Sequence, residues 1–155
     1  MTEIRFDNVD ELSALISEEF GAWGPPTVVS QEMINQFADV TGDQQWIHTD
    51  VERAAAESPF KTTIAHGFLI LSLLPALPDG SNIRLVGMSS VINYGADRLR
   101  FIQPVPAGAA IHARRRFVGV TAKAKGIQLC TETEVRVVDA AKPALLYTSL
   151  ALYLS

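Results

Sequence analysis

Apolar and polar positions follow two rhythms along this chain. From residue 7 to 78 the spacing is helical and interrupted by loops, and from residue 83 to 154 it alternates as in strands. Val9, Leu12, Leu15, Ile16 and Phe20 recur at helical intervals, and Gly21 closes the helix they predict. Gly24, Pro25 and Pro26 force an irregular turn before a short strand at Thr27 to Val29. Ser30 is the expected N-cap of a second helix, with Met33, Ile34, Phe37 and Thr41 on its apolar face and Gly42 at its end. A third helix is predicted from a Thr49–Glu52 capping box to Glu57, where Ser58-Pro59 stops it. The run from His66 to Leu74 differs. Its Phe68, Leu69, Ile70, Leu71, Leu73 and Leu74 cover every side of a helical wheel, which predicts a helix enclosed by protein.

The second half supplies the enclosure. Ile127, Leu129, Thr131, Thr133, Val135 and Val137 alternate with Gln128, Cys130, Glu132, Glu134 and Arg136, a strand with one wet face. Ala109 to Val120 alternates less cleanly, with Ile111, Ala113, Arg115 and Phe117 on one side. Leu145 to Leu154 is apolar on both faces and is expected to lie centrally. Ile83 to Tyr94 and Leu99 to Val105 complete about five strands, and the short turns between them favour antiparallel neighbours. The predicted class is α+β, an antiparallel sheet of about five strands wrapped around one buried helix.

Composition narrows the options. A chain of 155 residues, 48% hydrophobic and 19% charged, reads as one domain over 1–155 with a substantial core rather than as disorder. A formal charge of −4 argues against nucleic acid as a partner. Phe68 to Leu74 is far shorter than the ~20 apolar residues a membrane span needs, so no membrane is expected either. The opening residues MTEIRFDNVD carry three acids and no apolar run, and Cys130 is the single cysteine. A cytoplasmic, disulfide-free protein is the expectation, with Cys130 inert.

Chemistry concentrates in Thr41-Gly42-Asp43-Gln44-Gln45-Trp46-Ile47-His48. On a continuous helix Asp43 and His48 would stand about 140° apart, so they meet only across a non-helical link. An acid and an imidazole placed together can move protons near neutral pH. The plainer alternative has Asp43 capping a turn and His48 packed under Trp46. A second candidate is Ile64-Ala65-His66-Gly67-Phe68, where free amides at a helix entry favour developing negative charge, and Gly67 lets a carbonyl oxygen come close. Gly67 also fits a purely structural role, letting the helix entry pack on the sheet. Asn93, Tyr94 and Gly95 are candidate pocket residues at a strand end. Arg114 and Arg116 share a strand face that suits either solvent or phosphate, and His112 is read as structural. His48, His66 and His112 lack metal-ligand spacing, so no metal is expected. Nucleophile-elbow, dinucleotide and phosphate-loop motifs are absent.

The run FADVTGDQQWIHTDVERAAAESPFKTTIAHGFLILSL closely resembles the hydratase motif of the MaoC-like family, the (R)-specific enoyl-CoA hydratases. TGDQQWIH, SPF, IAHGFL, VINYGADRLRF and PVPAG resemble its nodulation protein N-like branch. The resemblance implies a hot dog fold and a homodimer formed by sheet-edge pairing, or a higher homo-oligomer. It also implies an acyl-thioester substrate and no cofactor beyond the coenzyme A or acyl carrier of that substrate. Asp43 and His48 take the catalytic positions, and Gly67 takes the position whose amide polarises the thioester carbonyl. His66, Ser72, Asn93 and Tyr94 join Gly67 as implied oxyanion or substrate-binding residues. The implied reaction is reversible hydration of trans-2-enoyl thioesters to (R)-3-hydroxyacyl thioesters. Gln45-Trp46 stands where the family has Asn-Pro, and Lys61 where glycine is common. The first departure keeps open a non-catalytic acyl-thioester binding protein, and the hot dog scaffold keeps open an acyl-CoA thioesterase.

Overall fold

Backbone pairing accounts for most of what the periodicity predicts and for most of what it misses. The computed structural model describes all 155 residues. The elements are β1 (Thr2–Arg5), α1 (Val9–Ser13), β2 (Thr27–Val28), α2 (Gln31–Thr41), α3 (Trp46–Thr49), α4 (Val51–Glu57) and α5 (Gly67–Ser72). A 3₁₀ turn (Leu74–Ala76) follows, then β3 (Ile83–Val86), β4 (Ser90–Phe101), β5 (Ala110–Lys123), β6 (Gly126–Val137) and β7 (Leu145–Leu154). Five strands form one antiparallel sheet in the order β2-β5-β6-β7-β4, and β1 pairs with β3 in a separate parallel pair. The main core lies between this sheet and the helices. Ile111, Ala113, Val135 and Leu145 meet Leu69 and Ile70 of α5 and Ile34 of α2. Ile4, Phe6, Leu12 and Ile127 form a smaller cluster beside β1. No helix is long and apolar enough to cross a membrane.

Several elements differ from expectation. The first helix stops at Ser13 instead of reaching Phe20. The amides of Ser17, Gly21 and Gly24 donate instead to the carbonyls of Phe117, Arg115 and Ala113 along β5. A strand edge with unsatisfied carbonyls outcompetes a weak helical periodicity. In α2 the Ser30 hydroxyl accepts from the Met33 amide at 3.2 Å, and Gly42 closes the helix at φ 77°, as expected. The buried face is Ile34 and Ala38, flanked by half-buried Met33 and Phe37, whereas Thr41 is exposed. The cap of α4 is Asp50, which accepts from the Arg53 amide at 3.0 Å, because Thr49 already belongs to the turn α3. The expected strand from Ile83 to Tyr94 is broken at Gly87, whose φ of 90° suits glycine, and β4 then continues unbroken to Phe101.

Helix α5 is short and only half enclosed. Leu69 and Ile70 are buried, but Phe68 is 62% exposed. Strand β4, at the sheet edge, is exposed on both faces for nearly its whole length. Strand β7 has β6 and β4 as neighbours, so it is flanked as expected. Only its Leu145 is fully buried, because little of the chain covers the β4 side.

Candidate active site

The left-handed Gly42 ends α2 and turns the chain into a short irregular link, Asp43 to Gln45. The Gln44 side chain holds this link back onto α2 by donating to Asp39 at 2.7 Å. The single turn of α3 then begins, and the His48 amide donates to the Gln45 carbonyl at 2.9 Å. His48 is thereby carried inward to 7% exposure, while the Asp43 side chain stays 55% exposed. The two are not turned apart. Donor atoms of Asp43, His48 and His66 all lie within 4.8 Å of one another.

Backbone carbonyls fix the imidazoles. His48 Nδ1 stands 2.6 Å from the Ile64 carbonyl, which can only accept, so Nδ1 carries the proton and Nε2 is left free as a base. The Ile64 amide in turn donates to the Ile47 carbonyl at 3.0 Å. Gln31, at the start of α2, donates to the His48 carbonyl at 2.7 Å and accepts from the Thr63 hydroxyl. It is a positioning residue the pattern reading missed; its only sequence signal is a glutamine directly after the Ser30 cap. Burial pushes His48 below the ordinary imidazole range, aided by neighbouring His66, while the Ile64 carbonyl and Asp43 oppose the shift. A neutral imidazole beside a carboxylate is the state a general base requires near neutral pH.

A cavity of about 280 Å³ opens beside His48, walled by Ile64, Gly67, Ile70, Phe101 and Ile102 among others. Gly67 is the first residue of α5, where no carbonyl of the preceding turn can satisfy its amide. A Cβ there would lie 2.8 Å from the Phe101 ring. The absent side chain thus admits the sheet residue, which is the packing reading of Gly67, and Gly67 also borders the cavity.

Of the other expected residues only His66 joins this cluster. His66 is 3% exposed and lies behind the cavity wall, stacked on His48 at 3.8 Å between ring centroids. Ser72 donates its hydroxyl to the Phe68 carbonyl one turn back at 2.7 Å. Together with Asn93, Tyr94 and Gly95 it borders a different hollow, between α5 and β4. Trp46 lies under the Arg53 guanidinium, 4.3 Å from the ring centroid, and does not line the cavity. Arg114 and Arg116 face Glu134 and Glu132 across the β5–β6 register and pair with them at 2.6 and 2.5 Å, the cross-strand solution rather than a free phosphate fork. His112 stacks on Trp23 at 4.0 Å.

Asp43, His48 and His66 are close enough to suggest a metal, an arrangement their spacing in sequence did not show. His48 has the carbonyl support typical of a ligating histidine. His66 does not suit the role. Its Nε2, the nitrogen beside the Asp43 carboxylate, stands 2.9 Å from the Asp43 carbonyl and must donate to it, so it has no lone pair to offer a metal there.

A curled antiparallel sheet with a short helix against its inner face is a hot dog fold, and an acid and an imidazole stand together near that helix's entry. The (R)-hydratase from A. caviae involved in PHA biosynthesis has the same fold, with a TM-score of 0.67 at 22% identity over 88% of this chain and 98% of that one. The sequence profile described as MaoC like domain matches residues 16–139. The 3-hydroxyacyl-thioester dehydratase Z of Mycobacterium tuberculosis (strain CDC 1551 / Oshkosh) is 43% identical over 97% of this chain and 98% of its own length. Nodulation protein N of Rhizobium meliloti (strain 1021) is 45% identical over 69% of this chain and 66% of its own. The chain belongs to the MaoC-like dehydratase family, and its chemistry is of the hydratase/dehydratase class.

Proposed function

We propose that this protein adds water reversibly to trans-2-enoyl thioesters, giving (R)-3-hydroxyacyl thioesters, with Asp43 and His48 as the acid–base pair. The observation that carries this reading is the free Nε2 of a buried, neutral His48 beside the Asp43 carboxylate, on a cavity that also presents the Gly67 amide. In the forward direction water attacks carbon 3 and gives up a proton to the pair. The pair returns a proton to carbon 2, and the double-bond electrons pass through an enolate on the thioester oxygen. Gly67 opens α5 and borders the cavity, and in this scheme its amide is the donor to the oxygen that develops charge. Acid–base help of this kind contributes ~10²–10⁴-fold, and one oxyanion donor contributes ~10²–10³-fold. Every group in this scheme is supplied by the chain itself, and coenzyme A or an acyl carrier enters as part of the substrate.

The relative named 3-hydroxyacyl-thioester dehydratase Z, similar over nearly the full length of both chains, supports the thioester substrate. We propose further that two copies pair through β4. Its exposed Val91, Ile92 and Tyr94 and the partly open α5 behind it are the surfaces a partner strand would cover. The opposite edge, β2, has only two residues. Absorbance at the enoyl-thioester band over a chain-length series tests the activity: consumption of the alkene supports it. Free thiol release without alkene loss would indicate a thioesterase, and thermal stabilisation by enoyl thioester without turnover would indicate a binding protein. Sedimentation tests the pairing, with a dimer expected and a persistent monomer refuting it.

A further inference from the structure

His66 is the one buried titratable group beside the acid–base pair that the proposed chemistry leaves without a task. Its ring is 3% exposed, stacked on His48 at 3.8 Å with an interplanar angle of 27°, and tilted against Phe37 at 5.0 Å. Its Nε2 reaches the main-chain oxygen of Asp43 at 2.9 Å, and the Asp43 carboxylate lies 4.0 Å from the same nitrogen. A carbonyl oxygen only accepts, so the proton sits on Nε2. The other nitrogen, Nδ1, is fully buried and finds no hydrogen-bond partner. An unmatched buried polar atom is costly, and packing alone would be met as well by an apolar ring. Moving the proton to Nδ1 would be worse, leaving a buried donor unpaired and two lone pairs opposed at the Asp43 carbonyl.

His66 is also the N-cap residue of α5, so the next amide along the chain is that of Gly67. One side chain therefore ties the exposed Asp43 link to the entry of α5 and gives the His48 ring a flat surface to rest on. We propose that His66 is a positioning residue, held as its Nε2–H tautomer, which sets the Asp43 carboxylate and the His48 imidazole at a fixed distance from the Gly67 amide. This rests on the hydratase reading for its kinetic consequence but not for its geometry. Small misplacements of reacting groups cost up to ~10²-fold in rate, so the expected kinetic effect is large for a residue that never meets substrate.

The test has two arms. Long-range ¹H–¹⁵N spectra of the histidine-labelled wild-type protein at neutral pH are expected to show His66 protonated at Nε2 and His48 at Nδ1. A His66 proton on Nδ1 would overturn the proposal whether or not the protein is a hydratase. In the second arm, His66→Phe keeps the ring stack and loses the donor, whereas His66→Gln keeps a donor near the Nε2 position. For His66→Phe, kcat is expected to fall ~10–100-fold with KM changed less than about twofold, and His66→Gln is expected to recover most of that loss. Equal loss in both variants, or a KM effect without a kcat effect, would overturn it. If the wild-type protein consumes no enoyl thioester, the hydratase reading fails alone. The variants are then judged by the Asp43 and Gln45 amide resonances, which His66→Phe should displace and His66→Gln should leave near their wild-type positions.

Discussion

Two stacked histidines of this molecule, His48 and His112, stand in contrasting surroundings. His48 rests on His66 at 3.8 Å, and His112 rests on Trp23 at 4.0 Å. Burial pushes both below the ordinary imidazole range. The surroundings separate them. His48 keeps one nitrogen free toward a cavity and has a carboxylate within reach. His112 lies among Arg114, Arg136 and Trp23 on the outer sheet face, where the arginines are matched by Glu134 and stack on aromatic rings. Stacking and a lowered proton affinity thus describe a burial environment; a free nitrogen, a cavity and a partner acid describe chemistry.

The comparison breaks most visibly at the pair itself. Asp43→Asn and His48→Ala are each expected to lower hydration of crotonyl-CoA by ~10²–10⁴-fold with circular dichroism unchanged. His112→Gln should leave the same rate within about twofold, and a large loss there would erase the distinction between the two rings. Next in size is Glu134, 3% exposed and shared by Arg114 and Arg136. Glu134→Gln is expected to cost roughly 2–3 kcal/mol in urea unfolding, because two partly exposed guanidinium groups lose a common partner, without changing the rate of the folded protein.

Acid sharpens the contrast further. A lowered folded-state proton affinity means the unfolded chain takes up the proton first, near pH 6.5, so both histidines draw stability away as pH falls below that value. The His112→Gln protein should therefore lose less melting temperature between pH 7 and pH 5 than the wild type. Activity should persist below pH 6.5 and then decline as His48 becomes charged, and a kinetic midpoint above 6.5 would contradict the burial of His48. The smallest effect belongs to Lys61, which holds a φ of 59° where glycine is common in the family. Lys61→Gly is expected to raise stability by about 0.5–1 kcal/mol and leave catalysis alone, since Lys61 does not border the cavity.

Much of this was legible before any coordinates. Alternation along residues 127–137 marks β6 almost to the residue, because one wet face imposes a period of two, and the run at 145–154, apolar on both faces, marks β7. Ser30 and Gly42 mark both ends of α2, because their backbone roles are local. Spacing and Gly42 made the meeting of Asp43 and His48 possible but left it open beside a turn cap and a packed ring, and the structure brings the two together. What stayed hidden is non-local. Residues 14–20 look helical, but the segment through Gly24 is recruited by the edge of β5, and nothing within it announces that edge. Gln31 and the tautomer of His66 are defined by carbonyls 17 and 23 residues away. The Phe68 side of α5 reads as buried from sequence and lies open in the single chain, since its cover belongs to no other segment of it.

The stitching of residues 63–65 has a further consequence. Ala65 donates to Val105, Ala107 donates to Thr63, and Ile64 is bonded to both Ile47 and His48. The acid, the base and the helix-entry amide all fall between Asp43 and Gly67 and are mutually anchored largely through main-chain atoms, which do not change when a side chain does. The opposite wall, Phe101 to Val105 and Ala144, comes from elsewhere in the chain. On the proposed reading, the acid–base groups and the facing wall of the cavity sit on separate stretches of polypeptide, so a substitution in that wall leaves the main-chain anchoring of Asp43, His48 and Gly67 untouched.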